Sequence, residues 1–328
     1  MKNTVSIYFP SFNERGYGSM NSYTKDLRRV CRDFGFNCDI VVTLPSLRIF
    51  GRFFSELFSI FWHSLSLTLG RSSLIIFVSQ EFLCPVFGKK CIVIIHDLIQ
   101  LKYPRSKMIK FKLIVNLIIV KLLKYKVVVP SNATKIKLKR VFNIDSEVIE
   151  NIIEIDFQIT NCERIKVMQS VRPKILWIGT HLRHKGLSDI IGLATYFPDV
   201  TFVLILPDIS KVDVNSITNV KVLSNLTDYE LHFEYCTASL FVSTSYDEGY
   251  CRPLHEALLF DVPVIARGIG VFYGINEKVT FYRIFSELIE KIKCFHFDLD
   301  RSNNKSVQYS NYLQIRQKYF DVFKFLNF

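Results

Sequence analysis

The sequence predicts an α/β protein built from two successive units of similar size, each with a parallel sheet. Short, continuous apolar runs recur along the chain, as expected of strands buried on both faces of a parallel sheet. Segments with helical periodicity alternate with these runs. The length of 328 residues corresponds to about two domains. The hydrophobic content of 49% excludes a disordered chain.

The N-terminal half opens in the order strand, loop, helix and strand. Residues 5–10 form a short apolar run that ends at a proline, and residues 23–34 have apolar positions at helical spacing. A turn and a second strand follow. Three further apolar runs are predicted strands, at 73–80, 90–98 and 126–134, the last of which leads into a helix. This order is the beginning of a parallel α/β unit.

A second alternation follows residues 157–172, where the pattern weakens and a linker is expected. The sequence TDYE at 227–230 is a capping box, which predicts a helix start. The predicted strands of this half are 174–180, 200–207, 219–223, 238–245 and 262–267. Residues 309–328 predict an amphipathic helix. Ligands of such units bind at the carboxyl ends of the strands, so a site is expected in the cleft between them.

The net charge of +12 indicates an anionic partner, such as a phosphate-bearing substrate, a nucleic acid or an anionic lipid. No helix-turn-helix, RNP or zinc-finger pattern is present, so nucleic acid is not expected. The segment 107–126 is too interrupted to span a bilayer, but lysines flank both of its ends. It predicts either a helix at an anionic membrane surface or a buried helix with solvated lysines.

Eight cysteines without a C-x-x-C pair predict free, buried thiols in a reducing compartment. We therefore expect the protein in the cytoplasm, with peripheral contact at the inner face of the plasma membrane. The sequence D-L-D at 298–300 is expected to be a solvated loop. No metal site and no cofactor are expected.

Two carboxylates follow the predicted strand at 238–245. Glu248 lies in the turn after the strand, and Glu256 lies in the first turns of the next helix. Paired carboxylates suit the vicinal hydroxyls of sugars and riboses, because each ionised carboxylate accepts two hydrogen bonds at once. By spacing alone, a helix N-terminal charge and a loop residue also explain the pair.

The stretch 245–265 resembles the E-x7-E signature of retaining GT-B glycosyltransferases of the family 4 type. The pattern of these bacterial sugar transferases runs S-x-x-E-G-F-G-x-P-x-x-E-A-x-x-x-G-x-P-V-I. The matching residues are Ser245, Glu248, Gly249, Pro253, Glu256, Ala257, Pro263, Val264 and Ile265. Cys251 and Asp261 replace glycines of the pattern, and Arg252 replaces a small or apolar residue. The lost glycines put close backbone approach in question, but the carboxylates are retained.

The resemblance implies that Glu256 holds the ribose of a nucleotide-sugar donor. It implies that Glu248 is catalytic and contacts the hydroxyls of the donor sugar. The backbone of Gly249, Tyr250 and Cys251 would then lie near the diphosphate or the transferred sugar.

The segment 177–191 resembles the family's G-x-x-x-x-x-K-G element, a strand end that turns into a helix. Many relatives carry an arginine directly after the first glycine, where this chain has Thr180, and Arg183 is a substitute. Without a divalent metal, cationic side chains and helix N-terminal amides must stabilise the departing diphosphate. Lys185 and Arg183 suit that task, although an exposed basic turn is the alternative.

In the N-terminal half, IVIIHDLIQLKYP at 92–104 resembles the family's strand-end H-D segment. It implies that His96 is catalytic and touches the donor sugar or the acceptor. Gly16 and Gly18 occupy the position of the family's first glycine-rich loop, which approaches diphosphate and acceptor. The loop is not G-x-G-x-x-G, which disfavours a dinucleotide-dependent oxidoreductase.

The resemblance thus implies a GT-B fold, in which two Rossmann-like domains face each other across a cleft. The expected domains are an acceptor-binding domain at 1–160, a nucleotide-sugar-binding domain at 161–308, and a helix at 309–328 that packs back on the first. The expected activity is metal-independent transfer of a hexose, with retention, from a nucleotide-diphosphate sugar. The expected acceptor is a saccharide, lipid-linked, in O-antigen or capsule synthesis. A nucleotide-sugar epimerase of the same architecture and a non-catalytic nucleotide-sugar-binding protein are the alternatives.

Overall fold

The structure is a computed structural model of the chain, and the chain divides into two compact units. One unit comprises Met1–Ile152 with Asn311–Phe328, and the other comprises Ile153–Ser310. The division therefore falls after residue 152, whereas the sequence placed it after residue 160. The structure describes residues 4–9, 18–42, 52–153, 172–214, 217–273, 275, 279–297 and 312–326.

The sheet of the first unit is parallel, with the order β2-β1-β3-β4-β5-β6 in the described part of the chain. Its strands are β1 Thr4–Phe9, β2 Asn37–Val42, β3 Leu74–Phe77, β4 Lys90–Ile94, β5 Lys126–Val129 and β6 Glu147–Val148. In the register, Val5 pairs with Cys38 on one side and with Leu74 on the other. All four residues of β3 are buried, which explains why this strand has no polar alternation.

In the described part of the chain, five helices of this unit come before the second unit begins. They are α1 Gly18–Asp33, α2 Arg52–Leu69, α3 Ile99–Lys102, α4 Lys107–Leu122 and α5 Asn132–Phe142. The hydroxyl of Ser106 accepts a hydrogen bond from the backbone N–H of Ile109 and caps α4. Ser131 caps α5 in the same way, and Asn143 ends α5 in the left-handed conformation.

The second unit repeats the plan with the strand order β12-β11-β10-β7-β8-β9, all parallel over the described residues. Its strands are β7 Lys174–Ile178, β8 Thr201–Ile205, β9 Val220–Leu223, β10 Leu240–Ser243, β11 Val264–Arg267 and β12 Val279–Tyr282. Its helices are α6 Leu187–Tyr196, α7 Asp228–Cys236, α8 Arg252–Leu259 and α9 Phe285–Lys293. Thr227 and Glu230 form the predicted capping box at the start of α7.

The C-terminal helix, α10, spans Tyr312–Phe325 and belongs to the first unit. It packs with α1 on one face of the first sheet, where Tyr319 and Phe323 join Leu27 in the core. The hydroxyls of Tyr23 and Tyr319 are hydrogen-bonded. The helices α2, α4 and α5 pack on the opposite face, through apolar residues that include Leu67, Leu113, Leu117 and Leu138.

The predicted fold class is confirmed, since both halves are parallel α/β units. Among the described residues, no helix has the length and apolar character needed to cross a bilayer. The described free thiols are Cys31, Cys38, Cys84, Cys91, Cys251 and Cys294. The expectation of free thiols is wrong for Cys236, which is disulfide-bonded.

Candidate functional site

The candidate site lies where the strand order of the second sheet reverses. β7 comes first in this unit, and its neighbours are β8 on one side and β10 on the other. The loops that leave β7 and β10 therefore depart in opposite directions from adjacent strand ends. Parallel α/β sheets bind ligands at such a point, at the carboxyl ends of the strands. Lys185 follows β7 and Glu248 follows β10.

Lys185 and Glu248 form an ion pair, with Nζ 2.5 Å from Oε1. The side chain of Glu248 is only 6% exposed, and that of Lys185 is 19% exposed. The hydroxyl of Ser245 donates a second hydrogen bond to the same carboxylate oxygen at 2.7 Å. A buried carboxylate needs such partners, because desolvation disfavours an isolated charge.

The loop that carries Lys185 is fixed to the end of β10 by Thr244, which is fully buried. Its hydroxyl oxygen lies 2.9 and 2.8 Å from the carbonyl oxygens of Lys185 and Gly186, which share its one proton, and it accepts a hydrogen bond from Trp177 Nε1. Gly186 has a φ of +66°, and a Cβ at this position would lie 2.4 Å from the carbonyl oxygen of Thr244. Only glycine permits this approach, which holds Lys185 next to Glu248.

Glu256 lies in α8 and binds two partners. Its Oε1 is 2.7 Å from Nε of Arg252, and its Oε2 accepts a hydrogen bond from the hydroxyl of Tyr235 at 2.8 Å. Burial, followed by the charge of Glu256, raises the pKa of Tyr235 well above its usual value. Tyr235 is therefore a neutral phenol that donates to the carboxylate.

Cys251 and Asp261 keep the backbone conformation that glycine would adopt. Their φ angles are 65° and 53°, in the left-handed region. Losing the two glycines therefore introduces backbone strain, because a left-handed φ costs energy for a residue with a side chain. Burial, followed by the charge of Glu248, raises the pKa of Cys251 to about 12, so its thiol stays protonated.

The remaining predicted residues of this unit lie in the turn after β10 and in the loop after β7. Gly249 is buried between Glu248 and the start of α8. The ring of Tyr250 stacks on His255, with centroids 4.1 Å apart. Arg183 lies in the short 3-10 helix that ends at Lys185, and its side chain is exposed.

The structure adds residues that the sequence did not single out. They are Thr244 and Tyr235, described above, and a group of three side chains beside the site, Arg267, Asp189 and Tyr246. Nη2 of Arg267 is 2.5 Å from Oδ2 of Asp189, which also accepts a hydrogen bond from Tyr246. The guanidinium of Arg267 lies 4.0 Å from the ring centre of Tyr246. Thr244 and Tyr246 follow the end of β10, whereas Tyr235, Asp189 and Arg267 lie within α7, α6 and β11 and carried no local signal.

His96 lies in the first unit and follows β4. Its Nε2 donates to the carbonyl oxygen of Val78 at 2.8 Å, and its ring meets the edge of Tyr23. Burial lowers the pKa of His96 below its usual 6.5, so the imidazole is neutral at neutral pH. Gly18 begins α1, and Gly16 lies outside the described residues.

Metal-ligating side chains do not gather in the described part of the chain, where no group of three His, Cys, Asp or Glu residues is placed to hold an ion. The sequence D-L-D at 298–300 lies outside the described residues. The cationic groups of the site are thus Lys185, Arg183, Arg252 and Arg267.

No protein-family model matches the chain. The O-antigen chain mannosyltransferase RfbU of Salmonella typhimurium (strain LT2) is 24% identical over 292 residues, covering 82% of this chain and 81% of RfbU. Sucrose-phosphate synthase from Thermosynechococcus elongatus has a TM-score of 0.71 at 15% identity, covering 89% of both chains. HepE from Anabaena, in complex with UDP and glucose, has a TM-score of 0.70 at 14% identity, covering 98% of this chain and 99% of HepE. The fold is that of the GT-B glycosyltransferases.

Proposed function

We propose that the protein is a glycosyltransferase that moves a hexose from a nucleotide-diphosphate sugar to a saccharide acceptor in surface polysaccharide synthesis. The observation that carries the proposal is the ion pair between Lys185, in the loop after β7, and Glu248, in the turn after β10, with Glu256 in the helix that follows that turn. The similarity to RfbU, named as an O-antigen mannosyltransferase, supports the pathway. The UDP and glucose in HepE support the donor class.

Each of the charged groups at these strand ends would bind one part of such a donor. Glu256 accepts hydrogen bonds from the ribose hydroxyls, and Glu248 accepts them from the hydroxyls of the sugar. Lys185 and Arg183 stabilise the negative charge that develops on the diphosphate. The backbone amides of Gly249–Cys251 and the start of α8 add the positive end of a helix dipole.

Before the donor binds, the cations and carboxylates of the site neutralise each other. Lys185 pairs with Glu248, and Arg252 pairs with Glu256. A donor exchanges these contacts: its hydroxyls bind the carboxylates, and its diphosphate binds the cations. The site therefore matches a ligand that carries hydroxyls and negative charge together.

We propose transfer with retention and without a metal ion. A departing phosphate oxygen takes the proton of the acceptor hydroxyl on the same face of the sugar, and the protein supplies positioning and electrostatic stabilisation. The neutral imidazole of His96 is proposed to contact the donor sugar or the acceptor. The loop with Gly16 and Gly18 is proposed to approach the acceptor.

The acceptor is proposed to be lipid-linked and to reach the enzyme at an anionic membrane surface. The net charge of +12 and the lysines of α4 support this. The first unit would bind the acceptor and the second the donor, in keeping with the domains expected from the sequence.

The test begins with a thermal-shift panel of UDP-glucose, UDP-galactose, GDP-mannose and the free nucleotides. A true donor at a hundredfold excess over its dissociation constant stabilises the fold by about 2.7 kcal/mol. Transfer to a lipid-linked saccharide is then measured. EDTA in the assay tests whether transfer needs a metal ion, and NMR assignment of the new linkage tests whether the configuration is retained. Lys185→Ala and Glu256→Ala should abolish transfer and leave the fold intact, whereas Lys293→Ala, at an exposed ion pair with Glu290, should not abolish it.

Other outcomes of these binding and transfer experiments would identify the alternative functions. A donor sugar that changes configuration without an acceptor would indicate an epimerase. Binding of the donor without any transfer would indicate a nucleotide-sugar-binding protein. Full activity of both alanine variants would refute the assignment of the site.

A further inference from the structure

The helix α2 exposes a row of large apolar side chains. Phe61, Leu65 and Leu69 are four residues apart on one side of the helix, and Trp62 lies beside them. Trp62 is 51% exposed and Leu69 is 75% exposed. The opposite side of the same helix, with His63 and Leu67, is buried in the unit. The exposed row is therefore not the face that packs on the sheet.

The helix α4 has the same two-sided pattern. Its buried side carries Leu113, Asn116, Leu117 and Val120. Its other side exposes Met108, Phe111, Ile118 and Leu122. Phe111 is 67% exposed and Leu122 is 73% exposed. Large apolar residues at helical spacing on a solvent-facing side mark an interaction surface.

Both helices belong to one layer, because their buried sides contact the same face of the first sheet. The third helix of that layer, α5, exposes Ile136 and Val141. We call the outer side of α2, α4 and α5 the apolar-basic layer. The exposed basic residues of α4 and α5 are Lys107, Lys110, Lys121, Lys135, Lys137, Lys139 and Arg140, and neither helix contains an Asp or Glu.

We propose that the apolar-basic layer binds the surface of an anionic lipid bilayer. Its apolar side chains enter the boundary between headgroups and acyl chains, and its lysines contact lipid phosphates. This inference rests on the proposed function, in which the acceptor is linked to a membrane lipid. It names the surface through which the protein reaches that acceptor. It adds α2 and α5 to the helix that the sequence indicated, and it defines the face that meets the lipid.

The charge of the layer favours lipid over a second copy of the chain. Two copies joined through this layer would bring the exposed cations of α4 and α5 together, and like charges across an interface oppose association. An anionic bilayer satisfies both the apolar and the basic side chains. The layer of α1 and α10 differs, because acidic residues such as Asp26, Asp33 and Asp321 accompany its basic ones.

Three leucines provide a matched test, since they are almost equally exposed on different helices. Leu69 in α2 is 75% exposed, Leu122 in α4 is 73% exposed, and Leu313 in α10 is 72% exposed. The full chain is sedimented with vesicles of phosphatidylglycerol and phosphatidylcholine, and with vesicles of phosphatidylcholine alone. We expect binding to the anionic vesicles that weakens with salt. The variant L69S/L122S should lose about tenfold in affinity, and L313S should bind like wild type.

The basic side chains are tested by the variant K110Q/K121Q, which should also lose about tenfold on anionic vesicles. Equal binding to neutral vesicles, or equal loss in L313S, would overturn the proposal. A dimer that L69S/L122S dissociates, without vesicle binding, would also overturn it and identify a second copy as the occupant. The donor-induced thermal shift is measured on every variant, so failure of the proposed function shows separately as a missing shift in wild type.

Discussion

Nζ of Lys185 lies 2.5 Å from Oε1 of Glu248, and this contact joins the loops that leave the adjacent strands β7 and β10. The two residues are far apart in the sequence, and Thr244 fixes the distance between their loops. The pair orients this carboxylate at the point where parallel sheets bind ligands. The same contact makes both residues sensitive to substitution.

Replacing Lys185 by alanine should destabilise the second unit. The carboxylate of Glu248 would remain buried with Ser245 as a partner but without its cation, at a cost of about 2 kcal/mol. Urea unfolding measures the change. The matched control, Lys293→Ala, removes an ion pair between two exposed side chains, with Glu290, and should cost less than about 1 kcal/mol. Equal losses in both variants would show that the Lys185–Glu248 pair contributes no more than a surface pair.

Replacing Tyr235 by phenylalanine should weaken donor binding and lower stability by about 1 kcal/mol. The variant removes the hydroxyl that holds Oε2 of Glu256 at 2.8 Å but keeps the ring that stacks on Phe260. Donor titration and urea unfolding measure the two effects. Tyr196→Phe is the control, since this tyrosine is exposed at the end of α6 and its ring contacts Phe285. Unchanged donor affinity in Tyr235→Phe would contradict a positioning role for this hydroxyl.

Replacing Asp261 by glycine should raise the free energy of unfolding by roughly 0.5 kcal/mol. The gain from relieving a left-handed φ of 53° exceeds the entropy that glycine adds to the unfolded chain. Chemical denaturation measures it, and Asp261→Val should lower stability because a branched side chain opposes this conformation. A loss of stability in the glycine variant would show that contacts of the Asp261 side chain outweigh the backbone strain.

Acidification should destabilise the first unit through His96. Its pKa is lowered from 6.5 in the folded protein by burial, so the unfolded chain takes up this proton first as the pH falls. The stability contributed by the neutral imidazole is present above the unfolded pKa and is lost below it. The decrease in unfolding free energy between about pH 7.5 and about pH 5.5 should be smaller in His96→Gln than in wild type. Burial also lowers the pKa of His63. This residue is present in both proteins, so its contribution cancels in the difference between them.

Much of the fold was predictable because its signals are local. The buried strand β3 and the central strands around it have continuous apolar sequences, and the capping box at Thr227 marks the start of α7 directly. The boundary between units was less predictable, since it falls at residue 152 and the apolar pattern continues past it. The disulfide of Cys236 had no sequence signal, because cysteine spacing alone does not show which thiols meet.

The carboxylates of the site were predictable, but their partners were not. Glu248 and Glu256 stand out because they share one strand–turn–helix segment. Tyr235 and Thr244 are ordinary core residues in the sequence, and only packing brings their hydroxyls to Glu256 and to the loop of Lys185. The role of Arg252, which pairs with Glu256, also depends on side-chain geometry.

The sequence by itself determined the alternation of strands and helices, the acidic turn after β10 and the basic turn after β7, because backbone periodicity and turn chemistry act over a few residues. The tertiary structure alone decided that these two turns meet. Strand order is set by burial between distant segments, and this order places Lys185 beside Glu248. It also decided that the exposed apolar sides of α2 and α4 lie in one layer, since both helices must cover the same face of one sheet.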